Sequence, residues 1–427
     1  MKFISTNNFR HSADFRDAVI KGLPDDNGLY FPSLIPKLGE GFLDSISTMK
    51  LHEIAIEVLL PFCEADIPRD KLERICSETF VFDIPLTNVG DRIDCLELFH
   101  GPTMAFKDVG ARFLARTLSY FKEFDDRSST ILVATSGDTG GAVASGFYNQ
   151  PGIDVVILYP KGKVTALQER QMTTLGGNIQ ALEIDGDFDD CQSIVKQAFL
   201  DNDLKSLNLS SANSINIARW LPQSIYYYVP FIENGVNDYL VLSVPSGNFG
   251  NITSGMLAKS MGLPIHRFIA ATNVNDVVPR YLGNGKFDPR ATIQTISNAM
   301  DVSKPSNFAR LLSLYDNSYA AILNDASGYV LNDSETRLVM SQCKTQEDYI
   351  LDPHGAIAYA GLKDKLMKGE KGVFLGTAHY CKFLDVVNDA INEELALPDE
   401  TKPLFDRAKE SIAMNNDYND FKEFLTQ

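Results

Sequence analysis

The sequence predicts an α/β protein in which a mostly parallel sheet is covered by helices on both sides and preceded by a mainly helical N-terminal region. Three observations carry that expectation. From about residue 84 onward, short apolar runs alternate with amphipathic stretches. Two of those runs, Ile131-Leu132-Val133 and Leu240-Val241-Leu242, lead into matched glycine-rich turns, Ser136-Gly137-Asp138-Thr139-Gly140 and Ser246-Gly247-Asn248-Phe249-Gly250. At 427 residues, the chain exceeds what one ordinary core supports, so two or three domains are expected.

Residues 13–21, 51–62 and 71–80 carry apolar side chains at helical spacing. The turns Pro24-Asp25-Asp26-Asn27-Gly28 and Phe31-Pro32 punctuate this region. Residues 131–134, 155–159, 180–184, 240–244, 268–271 and 373–375 read as short buried strands. Among the helices between them, 109–124 places Val109, Phe113, Leu118 and Phe121 on one face. The two glycine turns open small-residue helices at 141–147 and 251–259. Residues 285–335 are expected to form a helical insertion. The boundaries predicted are an N-terminal region over 1–83, an α/β region over 84–385 with a smaller lobe within about 95–215, and a polar helical cap over 386–427.

Hydrophobic residues make up 44% of the chain and charged residues 22%, a globular composition. The net charge of −17 argues against nucleic acid or an anionic membrane as partner, since both reward a basic face. It does not oppose a small anionic ligand, which answers to the local field of a cleft. Cations do gather near the glycine turns: Lys107, Arg112, Lys161, Lys163, Arg170 and Arg219. The six cysteines are scattered with no Cys-x-x-Cys pair, and the six histidines show no ligand spacing, so no metal site is expected. A reducing, cytoplasmic setting is expected from that cysteine usage, from a start without a signal-type apolar region, and from the lack of a membrane-length apolar run. A monomer or a homodimer is expected.

Strand, glycine turn, helix is the arrangement that aims free backbone N–H groups and the positive end of a helix dipole at an anion. It also serves merely to pack a helix on a strand. Ser246-Gly247-Asn248-Phe249-Gly250-Asn251 offers N–H groups, a hydroxyl and two amides with no acid, which suits a phosphate. It matches neither a nucleotide P-loop nor a dinucleotide fingerprint. In the first turn, Asp138 would repel a dianion and needs a donor of its own, while Thr135, Ser136 and Thr139 suit a carboxylate or a phosphate ester.

His100-Gly101-Pro102-Thr103-Met104-Ala105-Phe106-Lys107-Asp108 sets a lysine where a helix begins. There the helix dipole disfavours the ammonium, and a neutral amine is a nucleophile, a Schiff-base former or a proton carrier. The spacing equally suits an exposed lysine beside an N-cap Asp108. In Ser211-Ala212-Asn213-Ser214-Ile215-Asn216-Ile217-Ala218-Arg219, amides and a guanidinium one turn apart suit a phosphate clamp, or else an N-capped helix with a surface arginine. Phe374-Leu375-Gly376-Thr377-Ala378-His379 ends a strand on a neutral hydroxyl.

Taken in order, these motifs resemble the threonine synthases, pyridoxal-phosphate enzymes of the tryptophan-synthase-β-like group (fold type II), in their longer bacterial and fungal branch. The likeness runs from Gly28-Leu29-Tyr30-Phe31-Pro32 to about residue 385. It implies two parallel-sheet α/β lobes and a pyridoxal 5′-phosphate cofactor held as a Schiff base by Lys107, the catalytic residue. It further implies that Ser246 to Asn251 grip the cofactor phosphate, that Thr377 faces the ring nitrogen, and that Asp138 lies near the 3′-oxygen. Thr135, Ser136, Thr139, Asn213 and Arg219 would bind O-phospho-L-homoserine. The implied reaction is a β,γ-replacement: Lys107 takes the α-proton, phosphate leaves Cγ, water adds at Cβ, and threonine is released. Asp138 stands where related enzymes often have Asn. The alternatives are another lyase of the same fold, such as a threonine or serine dehydratase or an O-acetylserine-type synthase, and a non-catalytic homologue. The clamp at Asn213 and Arg219 speaks against the first and an intact Lys107 motif against the second.

Overall fold

A computed structural model describes residues 1–124, 128–235 and 239–427. The chain opens with β1 (Phe3–Ser5), β2 (Ser12–Ala13) and β3 (Tyr30–Pro32), an antiparallel sheet in the order β2-β1-β3. Helices Phe15–Lys21, Leu51–Cys63 and Arg69–Thr79 accompany it and fall where helical spacing predicts them. The small sheet is a departure from the expected helical region, because strands of two or three residues are too short to show a period of two.

The main sheet takes β4 (Leu86–Asn88) and β5 (Ile93–Glu97) from the segment before the Lys107 motif. The smaller lobe's sheet begins only afterwards, with β6 (Ser129–Ala134), β7 (Ile153–Pro160), β8 (Ile179–Asp185) and β9 (Ser210–Ser211). The chain then returns to the main sheet with β10 (Leu240–Pro245), β11 (Arg267–Thr272), β12 (Ala326–Val330) and β13 (Lys371–Gly376). Among the described residues, the main sheet has the order β12-β11-β10-β13-β5-β4, parallel except for the β4–β5 pair. Every residue of β10 is buried, as the central strand of a parallel sheet covered on both faces requires. Helix Pro353–Lys365 covers one face across β10, β11 and β13, while helix Gly250–Met261 follows β10.

Residues 285–335 do contain helices, Phe308–Leu314 and Tyr319–Asp325, but also β12, which pairs in parallel with β11. Gly328 inside β12 lets Pro279 pack against the strand, for a Cβ there would stand 2.7 Å from the Pro279 Cα. A glycine in a short edge strand hides its periodicity.

The C-terminal segment is more than a helical cap. Its β14 (Ile412–Asn415) pairs in parallel with β8, giving the smaller lobe the order β14-β8-β7-β6-β9. Helix Tyr418–Thr426 then drives Phe421, fully buried, into the cluster of Leu132, Leu182, Ile184 and Ile194. The last residues of the chain thus complete a lobe begun almost three hundred residues earlier. Among the described residues, no helix is long and apolar enough to cross a membrane, and no cluster of three or more His, Cys, Asp or Glu could hold a metal ion.

Candidate active site

Lys107, Thr135, Ser136, Asp138, Thr139, Asn213, Arg219, the 246–251 loop and Thr377 all border one cleft between the two lobes, which Asn216 does not reach. Thr135 follows β6, Ser246 follows β10 and Thr377 follows β13, so the cleft lies beyond the carboxyl ends of parallel strands. The lysine motif is stitched to the end of β13. Phe106 N–H donates to the Thr377 carbonyl (2.9 Å), His379 N–H to the Met104 carbonyl (3.0 Å), and Ala105 bridges Ala378. The Tyr226 hydroxyl donates to the Phe106 carbonyl. Lys107 and Thr377 therefore share one frame.

Lys107 is the first residue of helix Lys107–Lys122, and its side chain is only 17% exposed, which rules out a solvated surface lysine. The N-cap is Phe106, not Asp108. Asp108 is buried in the first turn and accepts from the Thr103 N–H (2.9 Å) and hydroxyl (2.5 Å). Burial lowers the pKa of Lys107, and the Lys382 and Arg219 cations push in the same direction against Asp138.

Asp138 has the donor it needs. Its Oδ1 accepts from Gln168 Nε2 (3.0 Å) and lies 2.8 Å from Lys382 Nζ, and its Oδ2 lies 3.6 Å from Lys107 Nζ. Burial alone would raise its pKa, but Lys382 and then Lys107 hold it well below the usual carboxylate range. Beneath this turn, the Thr135 hydroxyl oxygen accepts from the N–H groups of Gly137 and Gly140, both at 2.9 Å. Gly137 has φ +134°, a conformation L side chains rarely adopt.

The 246–251 loop is built differently. Ser246 faces back into the sheet, its N–H donating to the Ala271 carbonyl and its hydroxyl to that of Val244 (both 2.8 Å). Asn248 braces the loop, with Nδ2 donating to Ser214 Oγ (2.6 Å) and Oδ1 accepting from Ser306 N–H (2.6 Å). Phe249 sits at the helix N-cap with φ +60°, a left-handed conformation held by the turn. Among the described residues, the N–H groups of Gly247 to Asn251 donate no hydrogen bond within the protein. Asn251 Oδ1 accepts from the Tyr227 hydroxyl (2.8 Å), while its buried Nδ2 has no partner. Gly247 lies so close to the following segment that a Cβ would stand 2.6 Å from the Ala299 carbonyl oxygen. Free N–H groups, an orphaned amide donor, a helix N-terminus and no acid fit a cofactor phosphate.

In the third motif, the structure separates residues that spacing groups together. Arg219 is 2% exposed rather than on the surface; its Nη1 donates to the Ala212 carbonyl (2.6 Å) and its buried Nε is unpaired. Burial lowers its pKa to about 10, still a cation at neutral pH. Asn213 likewise keeps an unpaired buried Oδ1 beside the cleft. Asn216 is turned away, capping helix Ile217–Trp220 and donating to the carbonyls of Val19 (2.9 Å) and Ser211 (3.1 Å).

Sequence reasoning missed Lys382, Gln168, His354 and Arg310. Lys382 stands three residues beyond His379, close to the last motif but outside it. His354 borders the cleft with Nδ1 2.7 Å from Asp352 and Nε2 buried without a partner. Arg310, fully buried, donates to the carbonyls of Tyr30 (3.1 Å) and Ile215 (2.7 Å) and to Asn307 Oδ1 (2.7 Å). It thereby ties the N-terminal sheet to the 211–219 motif and, through Asn307, whose Nδ2 donates to the Asn248 carbonyl (3.1 Å), to the 246–251 loop, and only its distance from them in the chain concealed it.

Family models match along most of the chain: threonine synthase N terminus over residues 2–80, pyridoxal-phosphate dependent enzyme over 86–376, and threonine synthase C-terminal over 355–425. The threonine synthase of Escherichia coli is 46% identical over 419 residues, covering 97% of this chain and 96% of its own. That of Haemophilus influenzae is 45% identical, with 98% of each chain covered. The E. coli crystal structure superposes with a TM-score of 0.93 at 44% identity, covering 100% of this chain and 99% of its own. The pyridoxal-phosphate-bound threonine synthase of Brucella melitensis gives 0.94 at 36% identity, covering 100% and 98%. A maize serine racemase, at TM-score 0.57 and 15% identity over 84% of this chain and 99% of its own, shares the fold alone. The chain belongs to the threonine synthase family of fold-type-II pyridoxal-phosphate enzymes.

Proposed function

We propose that this protein converts O-phospho-L-homoserine and water into L-threonine and inorganic phosphate, with Lys107 as Schiff-base lysine and proton carrier. The observation that carries the reading is the meeting, in one cleft, of a largely buried Lys107 at a helix start with an acid-free loop of free N–H groups at 246–251. Pyridoxal phosphate, when bound, supplies an electron sink for the bonds at the substrate's α-carbon.

The N–H groups of Gly247 to Asn251 and the Asn251 amide would hold the cofactor's phosphate. Ser246 and Asn248 act by shaping that loop. Thr377 would offer a neutral hydroxyl to the ring nitrogen, and Asp138, already ion-paired, would stand by the 3′-oxygen. Arg219 and Asn213, which line the cleft and each keep an unpaired buried polar atom, would take the substrate's anionic groups beside Ser136 and Thr139, and Thr135 holds that turn in place. Once the substrate's own amine is bound in its place, the Lys107 amine removes the α-proton. Phosphate departs from Cγ, which gains a proton, and water adds at Cβ. A cytoplasmic location is part of this reading, supported by six cysteines that are all unpaired and buried.

The experiment is a spectrum and an assay. The purified protein should absorb near the visible edge and release phosphate from O-phospho-L-homoserine, but not turn over threonine or O-acetylserine at comparable rates. Lys107→Ala should lose both the absorbance and the turnover; a fully active variant would sink the assignment.

A further inference from the structure

We infer that Lys382 is a positioning residue: its ammonium keeps Asp138 engaged, so that the Lys107 amine is left free to take up an aldehyde at neutral pH. The inference rests on the reading of Lys107 as the Schiff-base lysine. The side chain of Lys382 is fully buried in the 3₁₀ turn Tyr380–Phe383. Three acceptors surround its Nζ: Asp138 Oδ1 (2.8 Å), the Thr103 carbonyl (2.8 Å) and Gln171 Oε1 (3.0 Å). An ammonium has three donors and no acceptor, so this tripod fits the charged form. Gln171 is fixed in turn by donating its Nε2 to the same Thr103 carbonyl (3.1 Å).

The charges facing Lys107 are Asp138 on the neighbouring helix, Lys382 after β13, and Arg219 from the third motif. Those facing Lys382 include Asp138 and also Asp108, which is occupied by the N–H and hydroxyl donors of Thr103. Asp138 and Lys382 cancel. A Lys107 ammonium would therefore add an unbalanced charge to a largely buried site that Arg219 already makes positive, and the neutral amine is favoured. Without Lys382, Asp138 would turn to Lys107 at 3.6 Å and hold it as an ammonium. Only the neutral amine adds to an aldehyde carbon; the carbonyl oxygen then leaves as water, carrying the two amine hydrogens.

To test this, the full-length protein is stripped of cofactor and mixed with pyridoxal phosphate over a pH series. The adduct is trapped with borohydride and quantified on the Lys107 peptide by mass spectrometry. Lys382→Met should move the pH midpoint upward and cut the adduct formed at neutral pH about tenfold. The double variant Lys382→Met/Asp138→Asn should restore it, because the acid that captures Lys107 is gone. A folded Lys382→Met with an unchanged midpoint overturns the inference. So does a double variant that stays impaired, since loss of structure alone would not be reversed by a second substitution. Should Lys382→Met not fold, Asp138→Asn carries the test with the opposite sign: the midpoint must fall, and an upward or absent shift overturns the inference. Trapping of the wild-type adduct on another lysine would instead remove the Lys107 reading beneath it.

Discussion

Gly247→Ala isolates the 246–251 loop from the rest of the site. Gly247 has no positive φ, so the substitution imposes no backbone strain of its own, only the volume of one methyl group. That methyl would meet the Ala299 carbonyl oxygen at 2.6 Å and the Met300 Cα at 2.8 Å, against an ordinary contact of 3.4 Å or more. The loop or its neighbour must therefore retreat by 3.4 − 2.6 = 0.8 Å. Both contacts are backbone, so no side chain can swing aside. Met300 is buried and its N–H is bonded to the Ser297 carbonyl, so the displacement falls largely on the 246–251 loop. Overpacking of this kind costs about 1–3 kcal/mol. If the whole cost appears in the bound state, cofactor affinity drops about 5- to 150-fold. Cofactor titration followed by absorbance measures it. Gly283→Ala is the control, since a Cβ there meets nothing within 4 Å and no positive φ opposes it. Wild-type affinity in Gly247→Ala, or an equal loss in Gly283→Ala, would refute the close-approach argument.

Three further outcomes follow from the same structure. Arg219→Ala should raise the KM for O-phospho-L-homoserine far more than it weakens cofactor binding; equal losses would remove Arg219 from the substrate side. Phe421→Ala should destabilise the protein by about 3–5 kcal/mol in denaturant melts, since the ring is fully buried, while leaving the KM unchanged. Asp301 is pushed up to about 6 by burial, although Thr295 and Asn273 bond to it, so the folded state binds its proton more tightly than the unfolded chain does. Its charge is a burden fully present above pH 6 and relieved as the pH falls toward the ordinary value near 4. Asp301→Asn should therefore flatten the stability–pH curve between about pH 6 and 4, and an unchanged slope would refute that.

Most of what is legible in the sequence is local. Short runs of three to five residues marked the central strands, because a buried parallel strand needs no partner to look apolar on both faces. Glycine turns after such runs marked the loops, and Lys107 was legible because a lysine after a Gly-Pro turn at a helix start is a short-range pattern. The weak elements escaped for the converse reason. Strands β1, β2, β12 and β14 are short or carry glycine or polar residues, and β12 and β14 are strands only because a distant edge offers hydrogen bonds.

The site divides along the same line. The sequence by itself determined which backbone could cradle an anion, which amine could react, and that Asp138 must have a partner. Only the tertiary structure decided what that partner is: Lys382, held in a tripod that reaches back across 279 residues to Thr103. It also turned Asn216 out of the cleft and buried Arg219 and Arg310. The physical reason is that turns and helix starts are set by neighbours within a few residues. The protonation state of a buried group is set by the charges and dipoles packed around it, and those come from wherever the fold brings them.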